Sequence, residues 1–195
     1  ASYLRELVPT WDWKFSWLKK FEKFVISYRS VIAWMMVVLA VILGIYTGIL
    51  LSAFNARPLW NTSIMGFLFL ASGLSSGAAV IMWMSKDKME RHLISKIDVL
   101  LIGIELFLII HLFMGFLAGP EVQIEAASLF LGGRFTVIFW VVVVGLGVIL
   151  PGILEILELR GKKIPIYIPA LLILIGGLIF RYVIVEAGQL TGYIH

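Results

Sequence analysis

The sequence predicts an all-α membrane protein, five transmembrane helices in a bundle behind an N-terminal interfacial segment. Three observations carry this. The chain has 195 residues, of which 61% are apolar and 14% charged, with a mean hydropathy of +1.02; soluble domains average about 45–50% and about 25%. Five segments are each apolar over the roughly 20 residues that a helix needs to cross about 30 Å of hydrocarbon. Lysine and arginine crowd the ends of these segments on one side only. Together these exclude a soluble enzyme domain, a disordered chain and a collagen-like chain. The alternating pattern of a membrane β-barrel is absent.

The stretch at 11–28 mixes Trp, Phe and Lys. It reads as a helix lying on the membrane surface, rings at headgroup depth and lysines towards anionic lipid, or as a plain entry segment. Residues 1–29 are assigned to this segment and 30–195 to the transmembrane domain. The predicted spans are 30–54, 61–85, 97–119, 134–157 and 165–187. Between the third and fourth, residues 124–131 are apolar enough to rest on the membrane surface.

Orientation follows from the positive-inside rule. Arg5, Lys14, Lys19, Lys20, Lys23 and Arg29 precede the first span. Lys86, Lys88, Arg91 and Lys96 lie between the second and third, and Arg160, Lys162 and Lys163 between the fourth and fifth. The opposite side has only Arg57 and Arg134. The protein is therefore expected in a cell's inner (cytoplasmic) membrane, N-terminus cytoplasmic and C-terminus outside. The net charge of +4 borders a membrane, and no nucleic-acid partner is expected.

Gly44 and Gly48, and Gly73 and Gly77, have the small-xxx-small spacing that lets helices approach closely. Ser72, Ser75, Ser76 and Ala79 form a second small stripe, read first as packing and second as a path for water or protons. Pro151 removes a backbone hydrogen bond from the fourth span.

Ionisable residues inside a membrane are costly and are functional candidates. The third span has Asp98, Glu105 and His111, the fourth Glu155 and Glu158, the fifth Arg181 and Glu186. Asp98 and Glu105 are two turns apart and share a face, whereas His111 is turned away from it by about 120°. The third span alone is thus no continuous path. Glu105, His111, Glu155 and Glu186 are the candidates for proton movement; for Glu155 and Glu158, pairing with Arg160 or Lys162 at the surface is the alternative. Arg181 is a candidate to meet an anion or a quinone oxygen, or to snorkel outwards. No ligand cluster for a metal is visible. Without cysteine, an iron–sulfur cluster has no thiolates to bind here. His92, His111 and His195 are placed too differently for a bis-histidine haem.

The runs GIYTGILLS at 44–52, PLWNT at 58–62 and SGLSSGA at 72–78 occur in that order. With GGRFT at 132–136, Trp140, Pro151, Gly176, Gly177 and Arg181, they resemble the membrane subunits of polysulfide reductase and its relatives, the NrfD-like family. The resemblance covers about 29–195. It implies a quinone/quinol-binding membrane anchor that passes electrons between the quinone pool (menaquinone or ubiquinone) and an extracytoplasmic iron–sulfur subunit. That subunit serves a molybdopterin catalytic subunit. The resemblance implies no haem in this protein, and it makes Tyr46 the candidate to hydrogen-bond a quinone carbonyl, where the residue alone would read as an interfacial tyrosine. The loop at 55–62, with Arg57, Trp60 and Asn61, is the expected docking surface for the iron–sulfur partner. Proton or ion translocation, and a purely structural anchor, are the alternatives. Family members have eight or more membrane helices, and these five match the later ones. A fragment is therefore expected, in line with the alanine at position 1; early helices on another chain, or a shortened relative, are the other options.

Overall fold

A computed structural model describes residues 24, 27–54, 56–85 and 87–192. Most of the predicted interfacial segment lies outside them. Five helices are long and apolar enough to span a membrane: α1 (Arg29–Ser52), α2 (Ile64–Met84), α3 (Lys88–Leu117), α5 (Ile138–Leu159) and α6 (Tyr167–Leu190). A short helix, α4 (Glu121–Ser128), separates α3 from α5. No strand occurs among the described residues. The chain divides into two compact units, Ala1–Leu43 and Gly44–His195.

In the second unit, α2, α3, α5 and α6 form a closed ring in which each packs against two neighbours. The connection between α2 and α3 is three residues long, which forces them antiparallel. The helix α3 starts nine residues before the predicted span. Asp87 caps it, its Oδ1 accepting from the Met89 N–H at 3.0 Å, and Glu90 supplies a negative charge in the first turn. Arg91 donates to the Ser85 carbonyl at 2.6 Å. A search for apolar runs stops at this charged turn, although it is helical.

The helix α5 is wound in two ways. Ile138–Ile149 is π-helical and Leu150–Leu159 is α-helical. Pro151 stands at the start of the α-wound part, one residue past Leu150, whose N–H still reaches back to Gly145. The missing proline N–H thus falls at the junction, where the hydrogen-bond pattern changes anyway. At its other end α5 closes with a Schellman motif. The Lys162 N–H bonds the Leu157 carbonyl at 3.0 Å and the Gly161 N–H bonds the Glu158 carbonyl at 2.8 Å. Gly161 has φ +89°, a conformation that glycine adopts without strain.

Two apolar clusters fill the ring. The larger joins α2, α3, α4, α5 and α6 through Phe69, Phe113, Phe130, Phe139 and Phe180. The smaller, at the end where α2 and α3 meet, is Ala79, Met82, Ala170 and Ile173. The stretch at 124–131 contributes Ala126, Ala127 and Phe130 to the larger cluster and leaves Ile124 and Leu131 exposed. Its apolar residues are spaced so that one side meets α3 and the rings of Phe113 and Phe139.

Candidate functional site

Polar side chains occupy the layer between the two apolar clusters. On α3, Asp98 and Glu105 point inwards and are 0% and 4% exposed. The antiparallel α2 brings serines to both: Ser75 faces Asp98 and Ser72 faces Glu105. Ser72 and Ser75 are themselves buried. Glu155 of α5 is also fully buried and neighbours Asp98. It does not turn to Arg160 or Lys162 at the surface. Ser72, Ser75 and Glu155 thus group with Asp98 and Glu105.

The cation of this layer is Arg181, on α6. Its Nη1 donates to the Gly177 carbonyl at 2.9 Å, and its guanidinium carbon is 5.9 Å from the centre of the Phe69 ring. It is near enough to Glu105 for the two charges to act on each other. Glycines make the room. A Cβ on Gly177 would lie 2.9 Å from the Ser76 hydroxyl and 3.2 Å from Arg181 Nη1, and one on Gly73 would meet only Arg181 Nη2, at 3.5 Å. Gly77 has open space around it. The α2 glycine pair is thus no helix-packing seam. Close backbone approach occurs elsewhere, between Gly48 and Gly66 and between Gly147 and Gly176.

The other candidates stand apart from this layer. His111 is exposed, its ring 4.1 Å from that of Phe107 and its Nδ1 3.3 Å from the Phe107 carbonyl. Glu186 is half-buried five residues beyond Arg181. Tyr46 is 56% exposed and lies across the helix from Gly48, which faces α2. Sequence reasoning misses Ser95, one turn before Asp98 and 2% exposed. A small hydroxyl in an amphipathic turn carries no signal there.

In the loop between α1 and α2, Leu59 and Trp60 turn inwards while Phe54 stays exposed. Trp60 is buried and its Nε1 donates to the Ile184 carbonyl at 3.0 Å. Its ring fills the space that a side chain at residue 188 would need, which is why glycine stands there. Arg57 Nη1 donates to the Gln189 carbonyl at 2.7 Å and to the Thr191 carbonyl. It thereby caps carbonyls that the end of α6 leaves without intrahelical partners. Asn61 is exposed. Arg57→Ala should therefore loosen this end of α6, at a cost of about 1 kcal/mol, visible as a lower Tm in detergent. An unchanged Tm would show the cap to be dispensable.

Comparison with known proteins now places the sequence. The family model "Polysulphide reductase, NrfD" matches residues 5–192. The chain belongs to the NrfD family. Protein NrfD of Escherichia coli is 39% identical over 166 residues, 80% of this chain and 52% of that protein. The NrfD homolog of Haemophilus influenzae is 37% identical over 164 residues, 79% of this chain and 51% of that protein. A polysulfide reductase chain of Wolinella succinogenes is 35% identical over 164 residues, 78% of this chain and 51% of that protein. No solved structure matches. This NrfD-family chain spans about half the length of each of these relatives. Its five apolar helices and its family make it a membrane protein, and among its described residues no group of three or more His, Cys, Asp or Glu could hold a metal ion.

Proposed function

We propose that this chain is the quinone-reactive part of a membrane subunit that exchanges electrons with an extracytoplasmic iron–sulfur subunit of a molybdopterin oxidoreductase, and that it handles the accompanying protons. The observation that carries the reading is the buried polar layer between two apolar clusters, with the Arg181 guanidinium near enough to the buried Glu105 carboxyl for their charges to interact. An anchor with no other task would gain stability from apolar side chains there. Family membership supports the assembly. The Wolinella relative is by name one chain of a polysulfide reductase, so it works beside other chains.

The residues fit a quinone in their chemistry. A quinone carbonyl needs a hydrogen-bond donor, and Tyr46, near the end of α1 that leads into α2, presents an exposed phenol. Arg181 is partly exposed and has donors beyond the one bonded to Gly177. When bound, a quinol supplies two electrons and two protons. The Tyr46 hydroxyl positions the headgroup, and Arg181 and Glu105 hold compensating charges. The carboxyls and the serines of α2 offer a succession of proton-binding oxygens towards the Lys/Arg-rich end, which the positive-inside rule places in the cytoplasm. Arg57 and Trp60 order the loop on which the iron–sulfur subunit docks, and the exposed Asn61 is available to that partner.

Low-temperature EPR on the complex purified through this chain tests the proposal. Cluster signals should appear on adding quinol and be blocked by a quinone-site inhibitor; an intact complex that shows none overturns it. Tyr46→Phe should lower quinol-dependent cluster reduction about tenfold, the loss of one hydrogen bond, with assembly unchanged. Wild-type rates in that variant would remove Tyr46 from the site.

A further inference from the structure

The Asp98–Glu155 pair asks for more than a place in a succession of oxygens. The helices α3 and α5 are drawn together beside it, because a Cβ on Gly152 would lie 3.1 Å from Ile102 Cγ2. Asp98 is one turn from Ile102, and Glu155 is three residues from Gly152. Both side chains are fully buried, and all four of their carboxyl oxygens lack a hydrogen-bond partner. The hydroxyl of Ser95, one turn from Asp98 on the same face, is equally buried and equally unpartnered.

Two carboxylates cannot both stay ionised in such a place. Each charge is costly out of water, and like charges repel. Among the described residues the nearby cations act elsewhere: Arg181 acts on Glu105, and Arg91 acts on Glu158. The other charged groups that bear on the pair are the carboxyls of Glu105, towards Asp98, and Glu158, towards Glu155. Both are acids. The helix α2 contributes only the Ser75 hydroxyl. An acid–carboxylate pair with one proton between its members removes one of the two charges, and gives the hydroxyls of Ser75 and Ser95 an anion to donate to.

We infer that Asp98 and Glu155 share one proton and form a proton-storage site at the Lys/Arg-rich end of the bundle. This deepens the proton-handling part of the function proposed above and rests on that reading for its purpose, though not for its existence. The pair carries one proton and one negative charge at rest. Taking up a second proton neutralises it, and releasing that proton towards Glu105 restores it. Acids that interact this strongly lose their protons in two separate steps that belong to the pair.

Infrared titration of the carboxylic-acid C=O band tests this, on the membrane-embedded complex, in light and heavy water. The wild type should lose the band of the pair in two well-separated steps, and Asp98→Asn and Glu155→Gln should each leave one. A band that titrates in a single step in the wild type, or that neither substitution alters, overturns the inference. So does a wild-type band that is absent with sodium present and returns when sodium is withdrawn, since the oxygens would then hold a metal cation. Should the variants fail to assemble, the two-step wild-type titration and its sodium dependence still decide. None of these readings needs quinol, so a negative EPR result with a two-step band would remove the quinone proposal and leave the pair standing.

Discussion

Gly176→Leu is expected to prevent the bundle from assembling. A side chain at 176 would be driven into the backbone of Gly147, and from the other side a Cβ on Gly147 would lie 2.7 Å from Gly176 Cα. Backbone cannot rotate out of the way as a side-chain tip can. The helices α5 and α6 would have to separate, and with them the packing of Phe139 and Phe180 in the larger apolar cluster. Overpacking typically costs about 1–3 kcal/mol, and this case belongs at or above the upper end. Gly77→Leu provides the control, because nothing lies within 4 Å of its Cβ position. Size-exclusion profiles and thermal unfolding in detergent should show loss of the monodisperse species for the first and little change for the second. Equal behaviour of the two would refute the backbone contact.

The second large effect concerns charge. On the function proposed above, Arg181→Gln should lower quinol-linked electron transfer at least about tenfold, equivalent to about 1.4 kcal/mol of barrier, and it should also destabilise the protein. It leaves Glu105 without its neighbouring cation in a site with almost no access to water. A buried charge left without its neighbouring counter-charge is costly. Adding Glu105→Gln to the same protein should therefore recover much of the lost stability without recovering activity. The four-member cycle of wild type, two single variants and the double variant measures the coupling. Strictly additive stabilities would mean that the two residues do not act on each other.

The spans were legible because hydropathy answers directly to the cost of placing backbone and side chains in hydrocarbon. Their ends were less so. Capping by Asp87 and Glu90 adds helix where the apolar run has stopped, and the burial of Ala126 and Phe130 is set by α3 and α5 rather than by local pattern. The polar layer was half legible. Asp98, Glu105 and Arg181 stand out in any reading of an apolar sequence, whereas their grouping depends on which helices are neighbours. Ser72 and Ser75 look like packing residues until α2 is laid antiparallel to α3, and only the ring closure brings Glu155 to Asp98. Arg57 and Trp60 were legible as special and less so as inward-facing. A loop between two spans gives no hint that its side chains reach the far end of α6.

The π-wound half of α5 has a consequence for length. A π turn holds an extra residue relative to an α turn, so winding and residue count together set the angle at which the two ends of a helix meet their neighbours. In α5, one end must present Phe139 and Val143 to the aromatic cluster while the other presents Glu155 to Asp98. The winding of 138–149 is the phase setting between these two commitments. Deleting a single residue there would either rewind the stretch towards α geometry and keep both ends in register, or keep the π winding and rotate Glu155 off Asp98. The stretch is thus where α5 can absorb a change of one residue, and the α-wound half, pinned at Gly152 against Ile102, is where it cannot.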